Sequence, residues 1–248
     1  MKITFLGTGT SCGVPVIGCQ CEVCQSKEPK DRRLRCSILV ETEDTRLLVD
    51  VGPDFREQIL PQPFRRIDGI LVTHSHYDHV GGMDDIRPYC QFGQIDVYAD
   101  PIAREGMLQM LPYCFAENRY PGVPKIELNE IHAGQSFTIG DIEVMHGKLP
   151  ILGYRFGRFA YITDMKTIND DQLPLLEGVE VLVVNALRFD KPHHSHQLVD
   201  DALAFARRVG ARRTLLTHMC HDIGLHHVVN SKLPQGVELA FDGMELTI

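Results

Sequence analysis

Five short apolar runs in this 248-residue chain stop at a carboxylate or an imidazole: RLLVD at Asp50, GILVTH at His74, IEVMH at His146, FAYITD at Asp164 and RTLLTH at His218. A buried strand that ends in such a group delivers it to a loop at the sheet edge, where sites are built. A chain that does this repeatedly is constrained to a fold in which several strand ends meet.

The remaining pattern supplies the sheets. MKITFLG reads as a first strand running into a loop with Gly7, Gly9 and Gly13. SILVETEDTRLLVDVG reads as a hairpin, DFREQIL and MDDIRPY as short helices, DVYAD as a strand, and PIAREGMLQMLPYCF as one helix with proline in its first turn. IELNEI, SFTIG, DIEVMHG and VEVLVVNA are strands, with a turn at Gly140-Asp141. SHQLVDDALAFARRVG has helical spacing, with Ser195 as N-cap and Gly210 as stop. LHHVVNSKL reads as a helix and VELAFDGMELTI as a hairpin through Asp242-Gly243. No repeat or linker interrupts residues 1–248, so one continuous domain is expected.

The stretch LVTHSHYDHVGG packs His74, His76, Asp78 and His79 into six positions. His74 and His76 alternate along extended chain, so a slight bend brings both imidazoles to one ion. Asp78 and His79 fall on the following turn and can face a second ion beside it. Imidazole with carboxylate suits zinc, manganese or iron. Two ions need more ligands than four, and His146, Asp164 and His218, each at a strand end, are candidates.

Eight cysteines are present, and Cys19, Cys21 and Cys24 form a C-x-C-x-x-C group. In a cytosolic chain such spacing points to metal ligation. Three thiols want a fourth partner, for which His221, Cys220 and Cys36 are candidates. His221 is preferred because it follows His218 by three residues in LTHMCHD. A Cys₃His zinc site would fasten the loop around residues 12–36 to the wall of the active site.

The pattern H-x-H-x-D-H … H … D … H resembles the metallo-β-lactamase superfamily along the entire chain. The opening LGTGTSCGVPVIGCQCEVC, MHGKLPILGY, YITD, SHQL, LTHMCHD and FDGMEL narrow the likeness to the phosphoribosyl 1,2-cyclic phosphate phosphodiesterases of phosphonate breakdown. The resemblance implies an α/β fold, a four-layered αβ/βα sandwich. It implies that His74, His76 and His146 hold one divalent ion (manganese or zinc), that Asp78, His79 and His218 hold the other, and that Asp164 bridges them. Asp50 would orient a metal-bound histidine. His196 would give a proton to the leaving group, as a histidine that is cationic near neutral pH can. A homodimer is implied by the resemblance alone.

The expected reaction is hydrolysis of a small cyclic phosphodiester by a hydroxide shared between the two ions. Lys148, Arg155 and Arg188 lie near the site segments as candidates for a second phosphate. A net charge of −8 argues against a protein whose main task is to grip long nucleic acid. An RNase Z-like nuclease or another hydrolase of this fold is the enzymatic alternative, and a zinc-organised interaction module the non-enzymatic one. The N-terminus has no secretory pattern and no apolar run approaches a membrane span, so a cytoplasmic location is expected.

Overall fold

The computed structural model describes residues 1–116, 118, 120–140, 142–146 and 151–248; of residues 142–146 it describes the backbone strand. Fourteen strands are described: β1 (Lys2–Gly7), β2 (Ser37–Glu41), β3 (Arg46–Val49), β4 (Gly69–Leu71), β5 (Ile95–Ala99), β6 (Ile126–Glu130), β7 (Ser136–Ile139), β8 (Ile142–His146), β9 (Tyr154–Phe156), β10 (Phe159–Ile162), β11 (Val181–Asn185), β12 (Arg213–Thr217), β13 (Val237–Leu239) and β14 (Glu245–Thr247). They form two seven-stranded sheets, ordered β14-β1-β2-β3-β4-β5-β6 and β13-β12-β11-β10-β9-β8-β7. The helices are α1 (Glu22–Gln25), α2 (Phe55–Ile59), α3 (Tyr77–Val80), α4 (Pro101–Met110), α5 (Pro112–Phe115), α6 (Val199–Val209) and α7 (His226–Asn230), with 3₁₀ turns between.

The two-residue period of each strand sorts its side chains into separate cores. Ile3, Ile38, Val40, Leu47 and Val49 of the first sheet meet Phe159, Tyr161, Val181, Val183 and Leu215 of the second in a central core. Their alternates Leu39, Leu48 and Ile70 face α2, α4 and the 3₁₀ segment Met83–Phe92. Leu182, Val184 and Leu216 face α6 on the other side. Helix, sheet, sheet and helix therefore stack as four layers, the αβ/βα sandwich that the resemblance implied.

Three sequence expectations are corrected. The last two strands are not a hairpin: β13 runs parallel to β12 in one sheet, while β14 pairs antiparallel with β1 in the other. Asp242 makes the crossing, its carboxylate accepting from the Leu34 N–H at 2.6 Å and the Thr8 hydroxyl at 2.7 Å. The predicted helix over 101–115 breaks at Leu111, since the residue before Pro112 is driven out of helical geometry. Finally, α6 starts at Val199, with the Leu198 N–H donating to Asp201 at 3.1 Å, so Ser195 is free of the cap.

The parallel β10–β11–β12 set and the parallel β3–β4 pair direct their C-terminal ends to the same side. The strand-end residues of the sequence lie just past those ends. Asp50, Asp164 and His218 each adopt a left-handed backbone, with φ of 62°, 58° and 56°. Non-glycine residues rarely take that conformation, and three at strand ends around one site indicate backbone geometry held there by the surrounding fold.

Candidate metal centres and substrate cavity

The HSHYDH stretch leaves β4, and its last residues wind into α3, a single turn that carries Asp78 and His79 on its buried side. The turn is clamped to the strand end of β3. Val51 N–H donates to His79 O at 2.7 Å, and Gly82 N–H donates to Val51 O at 2.9 Å. Gly52 is required in this clamp: a Cβ there would lie 2.1 Å from the Asp78 carbonyl oxygen.

Asp78, His79, Asp164 and His218 converge, with ligand atoms all within 4.8 Å of one another. His79 Nε2 lies 3.3 Å from Asp78 Oδ2 and 3.2 Å from Asp164 Oδ2. His218 Nε2 lies 3.0 Å from Asp164 Oδ1 and 3.6 Å from Asp78 Oδ2. Both Nε2 atoms are nevertheless buried without a hydrogen-bond partner. Buried polar groups are costly unless satisfied. Lone pairs that face a common point without pairing to each other fit a shared cation, whose ligand oxygens and nitrogens sit about 3.0–3.4 Å apart when each is about 2.0–2.1 Å from the ion.

His74 and His76 stand beside this group. His74 Nε2 is 2.9 Å from His76 Nδ1, and the His74 ring centroid is 4.2 Å from that of His79. Burial, aided by charge on His79, pushes His74 down to about 3, which leaves a neutral imidazole able to ligate. His146 ends β8 opposite Tyr154; its side chain lies outside the described residues, as does Lys148.

The electrostatics favour positive charge at the convergence point. Burial works against a charged His79, yet the Asp164 and Asp50 carboxylates hold its imidazole well above the ordinary range. His218 is likewise raised to about 9 against burial, by Asp164 and then Asp78. Burial disfavours the charged forms of Asp78 and Asp164, but His79 and His218 hold both carboxyls below their usual range. Asp50 lies behind His79, with Oδ2 2.7 Å from His79 Nδ1, and also accepts from the Thr73 N–H and hydroxyl at 2.8 Å each.

A second convergence joins Cys19, Cys21, Cys24 and His221. His221 Nδ1 lies 3.4 Å from Cys19 Sγ and 3.2 Å from Cys21 Sγ, close to the roughly 3.5 Å edge of a tetrahedral zinc site. Contact with His221 lowers the Cys21 thiol to about 6, while burial pushes Cys24 up to about 11. The group yields one thiolate easily and the next reluctantly, which a divalent cation would reverse. The other two candidate fourth ligands are elsewhere: Cys36 Sγ meets the Thr217 hydroxyl at 3.4 Å, and Cys220 N–H donates to Leu187 O.

A cavity of about 390 Å³ opens on the first group, lined by His74, His76, Asp164, Lys166, His196 and Ile102 among others. His196 is buried, with Nδ1 3.6 Å from Asp164 Oδ1 and its ring 4.8 Å from that of His218. Burial, then charge on His218, pushes His196 down to about 4. Arg155 and Arg188 are absent from the described lining and satisfy nearby carbonyls instead, Gly157 O at 2.7 Å and Lys191 O at 2.9 Å. A larger groove near Phe55, Phe64 and Tyr89 lies over the outer helices, where Asp84 and Arg87 pair with each other.

A family model described as a β-lactamase superfamily domain matches residues 45–219, from β3 to the segment after β12. The chain belongs to the metallo-β-lactamase superfamily. Within that superfamily, the crystal structure of a new diphosphatase from the PhnP family superposes with a TM-score of 0.91 at 36% identity, covering 99% of this chain and 96% of that one. An octanoyltransferase of Porphyromonas gingivalis is 39% identical over 100% of this chain and 52% of its own length. A ribonuclease Z of Bradyrhizobium is 30% identical over 52% of this chain and 46% of its own. The chain thus spans about half the length of these curated relatives. A divalent-metal site is in keeping with the superfamily, and the Asp78, His79, Asp164 and His218 group is the place in this member that could hold one.

Proposed function

We propose that this chain is a metal-dependent hydrolase of small phosphodiesters, with phosphoribosyl 1,2-cyclic phosphate as the first candidate substrate. The observation that carries this reading is the set of buried, unpartnered imidazole nitrogens facing two carboxylates at the floor of an open cavity.

His74, His76 and His146 would hold one divalent ion and Asp78, His79 and His218 the other, with Asp164 between them. Such a pair supplies a deprotonated water as nucleophile and neutralises charge that grows on the phosphoryl oxygens. The protein's own part is positioning. Asp50 fixes the His79 ring, and the left-handed turns at Asp164 and His218 aim their side chains inward. Ile102 and Ala103 form an apolar side of the cavity. An anionic substrate raises the proton affinity of a buried imidazole beside it, and His196, which lines the cavity, would give that proton to the departing oxygen. The cysteine group would hold a separate zinc that keeps the N-terminal loop against the His218 segment.

The resemblance to a diphosphatase supports a second reading, in which the bond broken is P–O–P. The two differ in the leaving group. An alkoxide needs a proton as it departs, whereas a phosphate leaves as a stable anion.

The test is a hydrolysis panel with manganese or zinc, covering phosphoribosyl 1,2-cyclic phosphate, 2′,3′- and 3′,5′-cyclic nucleotides, a nucleoside diphosphate diester, short RNA and an octanoyl thioester. Turnover of a cyclic phosphate, falling at least about a hundredfold in His196→Ala, supports the first reading. Turnover of the diphosphate alone, barely changed in His196→Ala, supports the second. Short RNA as the preferred substrate would favour an RNase Z-like activity. Bound metals with no turnover of any compound would favour a zinc-organised module.

A further inference from the structure

His196 rides on a strap, residues 187–198, that leaves β11 and enters α6. The strap is closed at its base. Leu187 N–H donates to Gln197 O and Val199 N–H to Arg188 O, both at 3.0 Å, while Gln197 N–H reaches Met165 O at 3.2 Å. Within the strap the His193 and His196 rings stack, 4.8 Å apart and 17° from parallel, and Ser195 N–H donates to His193 Nδ1 at 3.3 Å.

One carboxylate holds the outer side of the strap. Asp222 Oδ2 accepts from Lys191 Nζ at 2.9 Å and lies 3.6 Å from Arg188 Nη1, and Arg188 Nε donates to Lys191 O at 2.9 Å. Lone exposed ion pairs hold little. Here three side chains form a network in which Arg188 is only 19% exposed, and the network holds Lys191 at a φ of 62°, a left-handed backbone that a lysine rarely adopts. Pro192 follows, and its locked φ passes that geometry on to His193.

Asp222 in turn follows His221, whose Nδ1 sits 3.4 Å from Cys19 Sγ and 3.2 Å from Cys21 Sγ. On the other flank, Cys220 N–H donates to Leu187 O at 3.0 Å. The cysteine group therefore anchors segment 220–222, and that segment grips the His196 strap through one backbone link and one side-chain link.

We infer that Asp222 is a positioning residue: it ties the cysteine group to the strap, so that the group, when it holds its ion, sets His196 for proton transfer to the leaving oxygen. This inference rests on the phosphodiesterase reading above.

The test compares two esters with manganese-loaded protein: cytidine 2′,3′-cyclic phosphate, which expels an alkoxide that needs a proton, and bis-p-nitrophenyl phosphate, which expels a stable phenolate. Asp222→Asn is expected to lower kcat on the cyclic ester about tenfold to a hundredfold with KM little changed, to lose far less on the aryl ester, and to keep its zinc. Asp222→Glu should recover part of the loss. In a His196→Ala background, Asp222→Asn should add no further selectivity, since both act on one proton transfer. Equal losses on the two esters, no loss, release of zinc or full additivity would overturn the inference. A second arm needs no turnover: hydrogen exchange at the amides of residues 188–196 should be about tenfold faster in Asp222→Asn and in His221→Ala than in wild type. If the wild type leaves the cyclic ester intact, the reading on which the inference rests fails, and exchange still decides the tie between the cysteine group and the strap: faster exchange in both variants supports it, and unchanged exchange overturns it.

Discussion

Asp50 and His79 are both fully buried, and the carboxylate Oδ2 lies 2.7 Å from the imidazole Nδ1. Asp50 also accepts twice from Thr73, which fixes the carboxylate and with it the His79 ring, whose Nε2 faces Asp78 and Asp164. A carboxylate behind a ligating histidine sets its tautomer and raises its basicity.

Replacing Asp50 by Asn therefore removes charge while keeping size. Asp50→Asn is expected to weaken divalent-metal affinity about tenfold to a hundredfold. Calorimetric titration of manganese into wild type and variant measures this. Equal affinities would show that Asp50 serves folding alone.

Gly52 provides a purely steric counterpart. Adding a methyl group puts a Cβ 2.1 Å from Asp78 O, so the turn that bears Asp78 and His79 must shift. Gly52→Ala is expected to lower stability by about 1–3 kcal/mol, the usual range for overpacking, and to reduce metal content after dialysis. An unchanged Tm with full metal content would contradict the close approach.

The cysteine group predicts one zinc per chain that survives mild chelation. His221→Ala should release it and lower Tm, because a structural zinc contributes directly to folding. Elemental analysis alongside thermal unfolding reads both. Retention of a full zinc equivalent in the variant would remove His221 from the ligand set.

A pH dependence follows from His226, which belongs to neither ligand group. Arg33, itself buried, lies with a terminal guanidinium nitrogen 3.2 Å from His226 Nδ1. A guanidinium can only donate, so Nδ1 must be an unprotonated acceptor. Burial, then Arg33, pushes His226 down from the ordinary 6.5 to about 4. Between those values the unfolded chain binds this proton and the folded chain does not. The stabilisation is therefore complete above about 6.5 and is lost as pH falls toward about 4. Urea unfolding at several pH values should show a shallower acid decline in His226→Gln than in wild type. Parallel curves would mean that His226 titrates normally in the fold.

Much of this was legible in the sequence. The period-2 strands and the residues that end them placed Asp50, Asp164 and His218 at strand ends, because a strand's register fixes where its last side chain goes, and the two sheets bring those ends together. The spacing of His74 to His79 was local and needed no tertiary knowledge. What failed depended on distant partners. Asp242-Gly243 between two apolar runs is a local hairpin signal, but β1 and β12 compete for the two strands and win. Likewise Arg155 and Arg188 looked suitable by proximity in sequence, yet carbonyls of their own surroundings absorb them.

The most direct measurement is an anomalous-scattering map of crystals grown with manganese, recorded at the manganese edge. The account predicts two peaks about 3.5–4 Å apart, one against Asp78, His79 and His218, the other against His74 and His76, with Asp164 between. A map with no peak inside that ring of side chains, from protein that turns over a phosphodiester, would contradict it.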